Sequence, residues 1–254
     1  MSLKAKRPIG VFDSGVGGLT VLKALAAKMP YENFVYFADF MNLPYGNKTA
    51  DQIKLLSDVA ISHLINTYKV KAVVIACHTS SSSFCWTDQA MYPISIFSMV
   101  TPTVSMIKNA NIDSIGILAT EYTTRNKIYP DLLYQNGYNG RIVSIACPEF
   151  VPLIENNASH VEIDSAVRKY CLADVSAFLL GCTHFPIIEP VIKRVVGTKE
   201  LLNPADAVAE HVYASLYQKG LISEQSAKGT IHYSTSGDQI NLKKLAFFAN
   251  CLGL

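Results

Sequence analysis

Two stretches of this sequence end an apolar run on a thiol with an imidazole close by. Val73 to Thr79 reads VVIACHT, and Phe178 to His184 reads FLLGCTH. Aliphatic and β-branched residues that stop abruptly at polar side chains mark a buried parallel strand. Such strands deliver functional groups to the C-terminal lip of an open α/β sheet. Cys77 and Cys182 thus stand at two strand ends, and the repetition suggests one cleft with a thiol on either wall.

Three chemistries are open to this pair. A Cys–His neighbourhood can supply a nucleophile and its base. Cys77, His78, Cys182 and His184 are four possible zinc ligands. Each thiol can also serve as acid or base on opposite faces of one carbon. Zinc fits poorly, because consecutive residues such as Cys77 and His78 point apart. A single nucleophile leaves the second motif idle. Two bases account for the repeat: inverting a stereocentre removes a proton from one face and returns one to the other. Each thiol then needs a neighbour to sustain its thiolate, and Asp13 and His184 stand at the lips of the corresponding strands. The plainer alternative makes both cysteines small buried hydrophobes.

The elements that must position these groups alternate. Strands are expected at 9–12, 33–38, around Val73, at 94–97, 115–118, 141–146, 174–181, 200–202 and 229–234. Helices are expected up to Met29 after the DSGVGGLT turn that starts at Asp13, and at 49–68, 80–91, after Pro102, at 120–136, 161–171, 185–197, 205–218 and 238–249. Ser80 to Ser83 supply the cap of the third of these. The glycines after Asp13 let backbone amides approach a small carboxylate or simply form a tight turn. The turn is neither a Walker A loop nor G-x-G-x-x-G. The alternation predicts parallel sheets with helices on both faces. Two cysteine-tipped strands so far apart in sequence favour two similar α/β domains over one long sheet.

Composition narrows the function classes. Of 254 residues, 50% are hydrophobic and 17% charged, which suits a packed core and excludes a disordered chain. A net charge of +2 without a lysine/arginine cluster argues against nucleic acid as a partner. No stretch approaches the roughly 20 apolar residues of a membrane span, and the start lacks the apolar segment of a signal peptide. Six cysteines without paired spacing read as free thiols in a reducing cytoplasm. Cys85, Cys147, Cys171 and Cys251 are expected to serve packing, and Trp86 to sit in the core or an interface.

An ordered set of segments resembles the glutamate racemase family, within the aspartate/glutamate racemases, over nearly the whole chain. They are GVFDSGVGGL from Gly10, YFAD from Tyr36, PYG from Pro44, ACHT from Ala76, AT at Ala119 with Thr123, ACPEFVPLIE from Ala146, LGCTHFP from Leu180 and TSGD from Thr235. The resemblance implies interconversion of L- and D-glutamate without pyridoxal phosphate, other cofactor or metal, supplying D-glutamate for peptidoglycan, by a cytoplasmic homodimer. It implies that Cys77 deprotonates D-glutamate with help from Asp13, and Cys182 deprotonates L-glutamate with help from His184. Ser14, Pro44, Tyr45, Gly46, Thr79, Thr120, Thr123 and Thr183 would hold the amino and carboxylate groups. Asp39 and Glu155 match supporting acids. The fold the resemblance implies is two open α/β domains with mainly parallel sheets, related by a pseudo-twofold axis with the site in the cleft between them: the first 1–98 plus 206–254 on the Cys77 side, the second 99–205 on the Cys182 side.

Some positions depart from the family pattern. His78 replaces an asparagine that contacts substrate, and is expected to keep its hydrogen-bonding role. Ser98, Thr101 and Asn203 replace a glycine and two acidic positions, and Asn42 lies in a variable loop. The alternatives left open are a racemase for another amino acid such as aspartate, or a catalytically impaired paralogue acting as a binding or regulatory protein. A malonate-type decarboxylase, which needs one cysteine, fits less well.

Overall fold

The computed structural model describes residues 4–84 and 86–254. The expectations for Cys85 and for the side chain of Trp86 lie outside the described residues. In chain order the elements are β1 (Ile9–Asp13), α1 (Leu19–Lys28), β2 (Phe34–Ala38), α2 (Ala50–Tyr68), β3 (Ala72–Ile75), α3 (His78–Ser83), α4 (Trp86–Gln89), β4 (Ser95–Ser98) and α5 (Val100–Asn109). Then follow β5 (Ser114–Ala119), α6 (Glu121–Asn126), α7 (Ile128–Gln135), β6 (Arg141–Ala146), α8 (Phe150–Glu155), α9 (His160–Tyr170) and β7 (Ala177–Gly181). The chain closes with α10 (Glu189–Val196), β8 (Glu200–Leu202), α11 (Ala205–Gln218), β9 (Ile231–Thr235) and α12 (Gln239–Leu252).

The strands form two parallel sheets, ordered β4-β3-β1-β2-β9 and β6-β5-β7-β8. The first takes its fifth strand from the C-terminal part of the chain. The inner strands β1, β3 and β7 are buried along their whole length, so they read as continuous apolar runs rather than alternating ones. The pleat sends successive side chains to opposite faces. Val74 joins a core that runs on through Leu19, Leu22, Leu118, Phe178 and Val208, linking the two sheets. Val73 and Ile75 face the other way, onto Ile53, Ile61 and Leu64 of α2. The second sheet has its own outer core, with Ile115 and Ile117 against Val104, Ile107 and Leu133. At the opposite end of the first sheet Lys71 and Glu32 form a buried ion pair at 2.5 Å, and Lys71 also donates to the carbonyl of Ala5.

Three helical expectations are corrected. The helix after Cys77 begins at His78 rather than Ser80, and Cys77 itself is the cap residue. The serines do not cap: Ser81 and Ser82 hydroxyls bond back to the carbonyls of Ile75 and His78, the local competition that makes serine a poor helix former. The stretch expected as one helix over 80–91 is two, α3 and α4. The single helix expected over 120–136 is also two, broken at Lys127 in the left-handed region (φ 57°). The segment after Phe185 opens as a 3-10 turn, Phe185–Ile188, before α10. Helix α8, which places Glu155, had no counterpart among the expected elements.

Candidate active site

Most of the site residues named from the sequence line one cavity at strand C-termini of both sheets, while Asp13, Asp39, Thr123 and Glu155 are not in its lining and bond to residues that are. A cavity of about 180 Å³ is lined by Ser14 after β1, Pro44 to Asn47 after β2 and Cys77 to Thr79 after β3. From the other sheet come Thr120 and Glu121 after β5, Cys147 and Pro148 after β6, and Cys182 to His184 after β7. Val151 and Pro152 of α8 complete it. This is below the usual 300–1,000 Å³ of drug-sized sites and suits one small metabolite. A second, larger cavity of about 1000 Å³ opens at the edge strand β4 and contains neither Cys77 nor Cys182.

The Cys182 side is a chain of bonded groups. Cys182 Sγ lies 3.8 Å from His184 Nδ1, and His184 Nε2 lies 2.7 Å from Glu155 Oε1. That oxygen also accepts from the backbone N–H of Val16 at 2.9 Å, and Lys244 of α12 pairs with the other oxygen. Burial alone would raise Glu155, but His184 and Lys244 outweigh it and hold its pKa at about 2. Burial alone would lower His184, but its bonds to Cys182 and Glu155 hold it well above the usual imidazole value. These two neighbours thus favour the protonated form of the imidazole.

The glycine turn serves this chain of contacts. A Cβ on Gly15 would overlap Glu155, and one on Gly17 would overlap His184 and Thr183. None of these glycines has positive φ among the described residues, so close approach, not backbone conformation, requires them. The carboxylate that the turn receives is the protein's own Glu155. Tyr36 donates to Gly15 O at 2.7 Å and Thr20 to Thr183 O at 3.0 Å, locking turn and β7 lip together. Tyr36 and Thr20 stand in the sequence motifs without an assigned role, and Lys244 in none; what each does depends on contacts across the fold.

The Cys77 side is sparser. Its sulfur has Ser14 Oγ at 3.7 Å. Burial, then the negative charge of Asp13, pushes the thiol up to about 12, and contacts from Ser80 counter only part of this. Asp13 lies close enough to act by charge, yet its oxygens accept from Gly15 N (2.9 Å) and Thr183 Oγ1 (3.0 Å). Burial raises the Asp13 pKa against the pull of His184. His78 is buried with neither ring nitrogen bonded.

The remaining groups form the rim. Thr120 caps α6 by accepting from Thr123 N, and its hydroxyl meets those of Thr79 (3.0 Å) and Thr123 (3.1 Å). Tyr45 donates to Asp39 Oδ2 at 2.6 Å and Asn42 donates to both Asp39 oxygens, so Asp39 fastens the turn that carries Pro44 and Gly46. The Leu43–Pro44 bond is cis. Cys147, expected only to pack, is buried and also lines the cavity. Among the described residues no group of three or more His, Cys, Asp or Glu is arranged to share an ion, and no helix is long and apolar enough to cross a membrane.

Residues 22–212 match the family model for Asp/Glu/hydantoin racemases. The chain is 36% identical over 248 residues to a glutamate racemase of Carboxydothermus hydrogenoformans, covering 95% of this chain and 91% of that protein. Among solved structures it resembles glutamate racemase from Thermus thermophilus in complex with β-chloro-D-alanine, with a TM-score of 0.86 and 32% identity over 96% of this chain and 93% of that one. It also resembles glutamate racemase from Francisella tularensis in complex with D-glutamate, with a TM-score of 0.86 and 28% identity over 97% and 94% of the two chains.

Proposed function

The chain belongs to the Asp/Glu/hydantoin racemase family, and from that premise we propose that it is a glutamate racemase working by two opposed cysteine bases. The observation that carries this reading is that two thiols, one from each sheet, line a single cavity sized for a small metabolite. For L-glutamate, the thiolate of Cys182 takes the α-proton and the thiol of Cys77 returns one to the opposite face, giving D-glutamate. Cys182 is then a thiol and Cys77 a thiolate, which is the arrangement for the reverse direction. His184, held by Glu155, sustains the Cys182 thiolate as a neighbouring cation. Asp13 assists at Cys77.

Ser14, the Pro44–Tyr45–Gly46 turn, His78, Thr79, Thr120, Thr123 and Thr183 hold the substrate's amino and carboxylate groups. Asp39 and Glu155 position Tyr45 and His184. The donors lining the cavity are hydroxyls, several bonded to one another, and the imidazole of His78. Such a preorganised set stabilises charge developing at an α-carbon without reorganising, and supplies more of the rate than proton transfer alone. The same reading divides the chain into domains at 1–98 plus 206–254 and 99–205. It also carries a cytoplasmic homodimer that feeds D-glutamate to peptidoglycan.

The test is incubation of each glutamate enantiomer in D₂O, following circular dichroism and the α-proton signal together. Loss of both signals from either enantiomer is expected. Faster turnover of aspartate would move the substrate assignment, and the absence of inversion and exchange would defeat the reading.

A further inference from the structure

Glu155 is a buried carboxylate whose two oxygens meet different kinds of partner. Oε1 accepts from Val16 N and bonds His184 Nε2. Oε2 is buried and finds no hydrogen-bond partner; the ammonium of Lys244 answers it as an ion pair. The Glu155 side chain is 4% exposed and that of Lys244 29%, so this pair joins the interior line of contacts to the surface. A buried charge stripped of its partner is strongly destabilised, which makes the choice of a lysine here consequential.

Lys244 is held in place from two sides. Asp238 caps α12 by accepting from Ile240 N and Asn241 N, and Leu245, Phe248 and Ala249 bury the inner face of the helix. Met41 N donates to Ser236 Oγ, which fastens the turn after β2 to the approach of this helix. In that turn the ring of Phe40 faces the Lys244 ammonium, 5.2 Å from its centre. The preceding residue, Lys243, is exposed. Of two consecutive lysines, α12 commits one to the buried acid.

We propose that Lys244 is a positioning residue for the Cys182 base: its ammonium keeps the Glu155 carboxylate ionised and aimed, so that Oε1 stays on His184 and His184 stays beside the sulfur. This rests on the racemase reading above. Burial opposes the charged carboxylate, and Asp13 and Tyr36 are its neighbours by charge from the first sheet. His184 and Lys244 are the groups that favour it. With the ammonium gone, Oε2 becomes a buried anionic oxygen with nothing to answer it. The carboxylate then takes up a proton or turns toward water. Either change removes the acceptor that His184 Nε2 needs.

Lys244→Met, Lys244→Arg and the surface control Lys243→Met are compared with wild type for kcat and KM across pH, in both directions of glutamate racemisation. Lys244→Met is expected to lower kcat about 10–100-fold, the range for losing a charged partner, with KM little changed. The loss in kcat/KM must be equal in both directions, because the enantiomers have equal free energy. Lys244→Arg, which keeps a cation, should recover kcat to within about tenfold of wild type, and Lys243→Met should match wild type. In Lys244→Met the acid limb of the pH–rate profile should rise by about one pH unit, since the carboxylate protonates more readily without its cation. The alkaline limb, which follows His184, should not fall. A methionine variant with wild-type kcat and acid limb, whatever its melting temperature, overturns the proposal, and so does an arginine variant as slow as methionine.

The double variant Glu155→Gln with Lys244→Met tests whether the lysine acts through the acid. Once the carboxylate is gone, the second substitution should change kcat less than about twofold relative to Glu155→Gln alone. A further loss of about tenfold overturns the proposal. This comparison decides the matter if Lys244→Met alone fails to fold, since the double variant leaves no unanswered charge. Wild type that fails to racemise glutamate defeats the racemase reading and this proposal with it. Active wild type with an equally active Lys244→Met defeats this proposal alone.

Discussion

The lips of β3 and β7 carry the same residue type for different states of readiness. At β7, Cys182, His184, Glu155, Val16 and Lys244 form an unbroken line of contacts, and both imidazole nitrogens are engaged. At β3, Cys77 has weak contacts to Ser14 and Ser80, while the nitrogens of His78 have no hydrogen-bond partner. One half is a closed set of internal contacts; the other leaves the His78 ring nitrogens without any. The difference teaches that repeating a strand-and-thiol motif does not repeat its electrostatics. Burial and Asp13 push Cys77 up to about 12, whereas beside Cys182 the bonds of His184 hold the imidazole well above its usual value; under the proposed mechanism the first side suits a proton donor and the second an acceptor.

The largest expected effect comes from removing either sulfur. Cys77→Ala and Cys182→Ala should each lower racemisation by at least about 10⁴-fold, the upper range for general acid–base catalysis, because neither half substitutes for the other. Circular dichroism with each enantiomer reads this directly. If one variant retained substantial turnover, the comparison of halves would reduce to a single working base.

Breaking the β7 line without touching the sulfur should have a smaller effect. In Glu155→Gln, His184 loses the carboxylate that helps raise it, and its pKa falls toward the ordinary 6.5. The cation is then lost at lower pH, so the alkaline limb of the pH–rate profile shifts downward and activity above neutrality drops about 10²-fold. An unmoved limb would mean that the line is structural only.

The β3 half should announce its unpaired histidine in stability. His78 has a folded pKa of about 3 against 6.5 for the free group. The unfolded chain therefore binds a proton between these values while the folded chain does not. Stability falls as pH drops through this window, by roughly 1.4 kcal/mol per pH unit from this residue. His78→Asn removes that slope, which melting temperatures between pH 6.5 and 3 compared with wild type will register. Smallest is Tyr45→Phe, which removes the bond to Asp39 and loosens the turn. KM should rise about three- to tenfold, as for one lost hydrogen bond, with kcat nearly unchanged.

How far sequence reached follows the same divide between local and long-range information. The strands ending at Cys77 and Cys182 were legible because burial on both faces writes a continuous apolar run that stops at the lip. The start of a helix at Thr120 was legible for similarly local reasons. The turn at Lys127 was not, because a left-handed lysine leaves no glycine to mark it. The glycines after Asp13 announced a close approach but not its object: Glu155 comes from far along the chain, on a helix the periodicity missed. Lys244 has no signal at all, since its task is defined only once α12 brings it to Glu155 of α8. Cys147 was read as packing and does pack, but its contribution to the cavity wall needed the second sheet in place.

The division of labour between the sulfurs is tested most directly by α-proton exchange in D₂O with single-cysteine proteins. Cys182→Ala should wash deuterium into D-glutamate without inverting it and leave L-glutamate untouched. Cys77→Ala should do the opposite, exchanging L-glutamate alone. If either variant exchanged both enantiomers, the two thiols would not serve opposite faces of one carbon, and the account would be wrong.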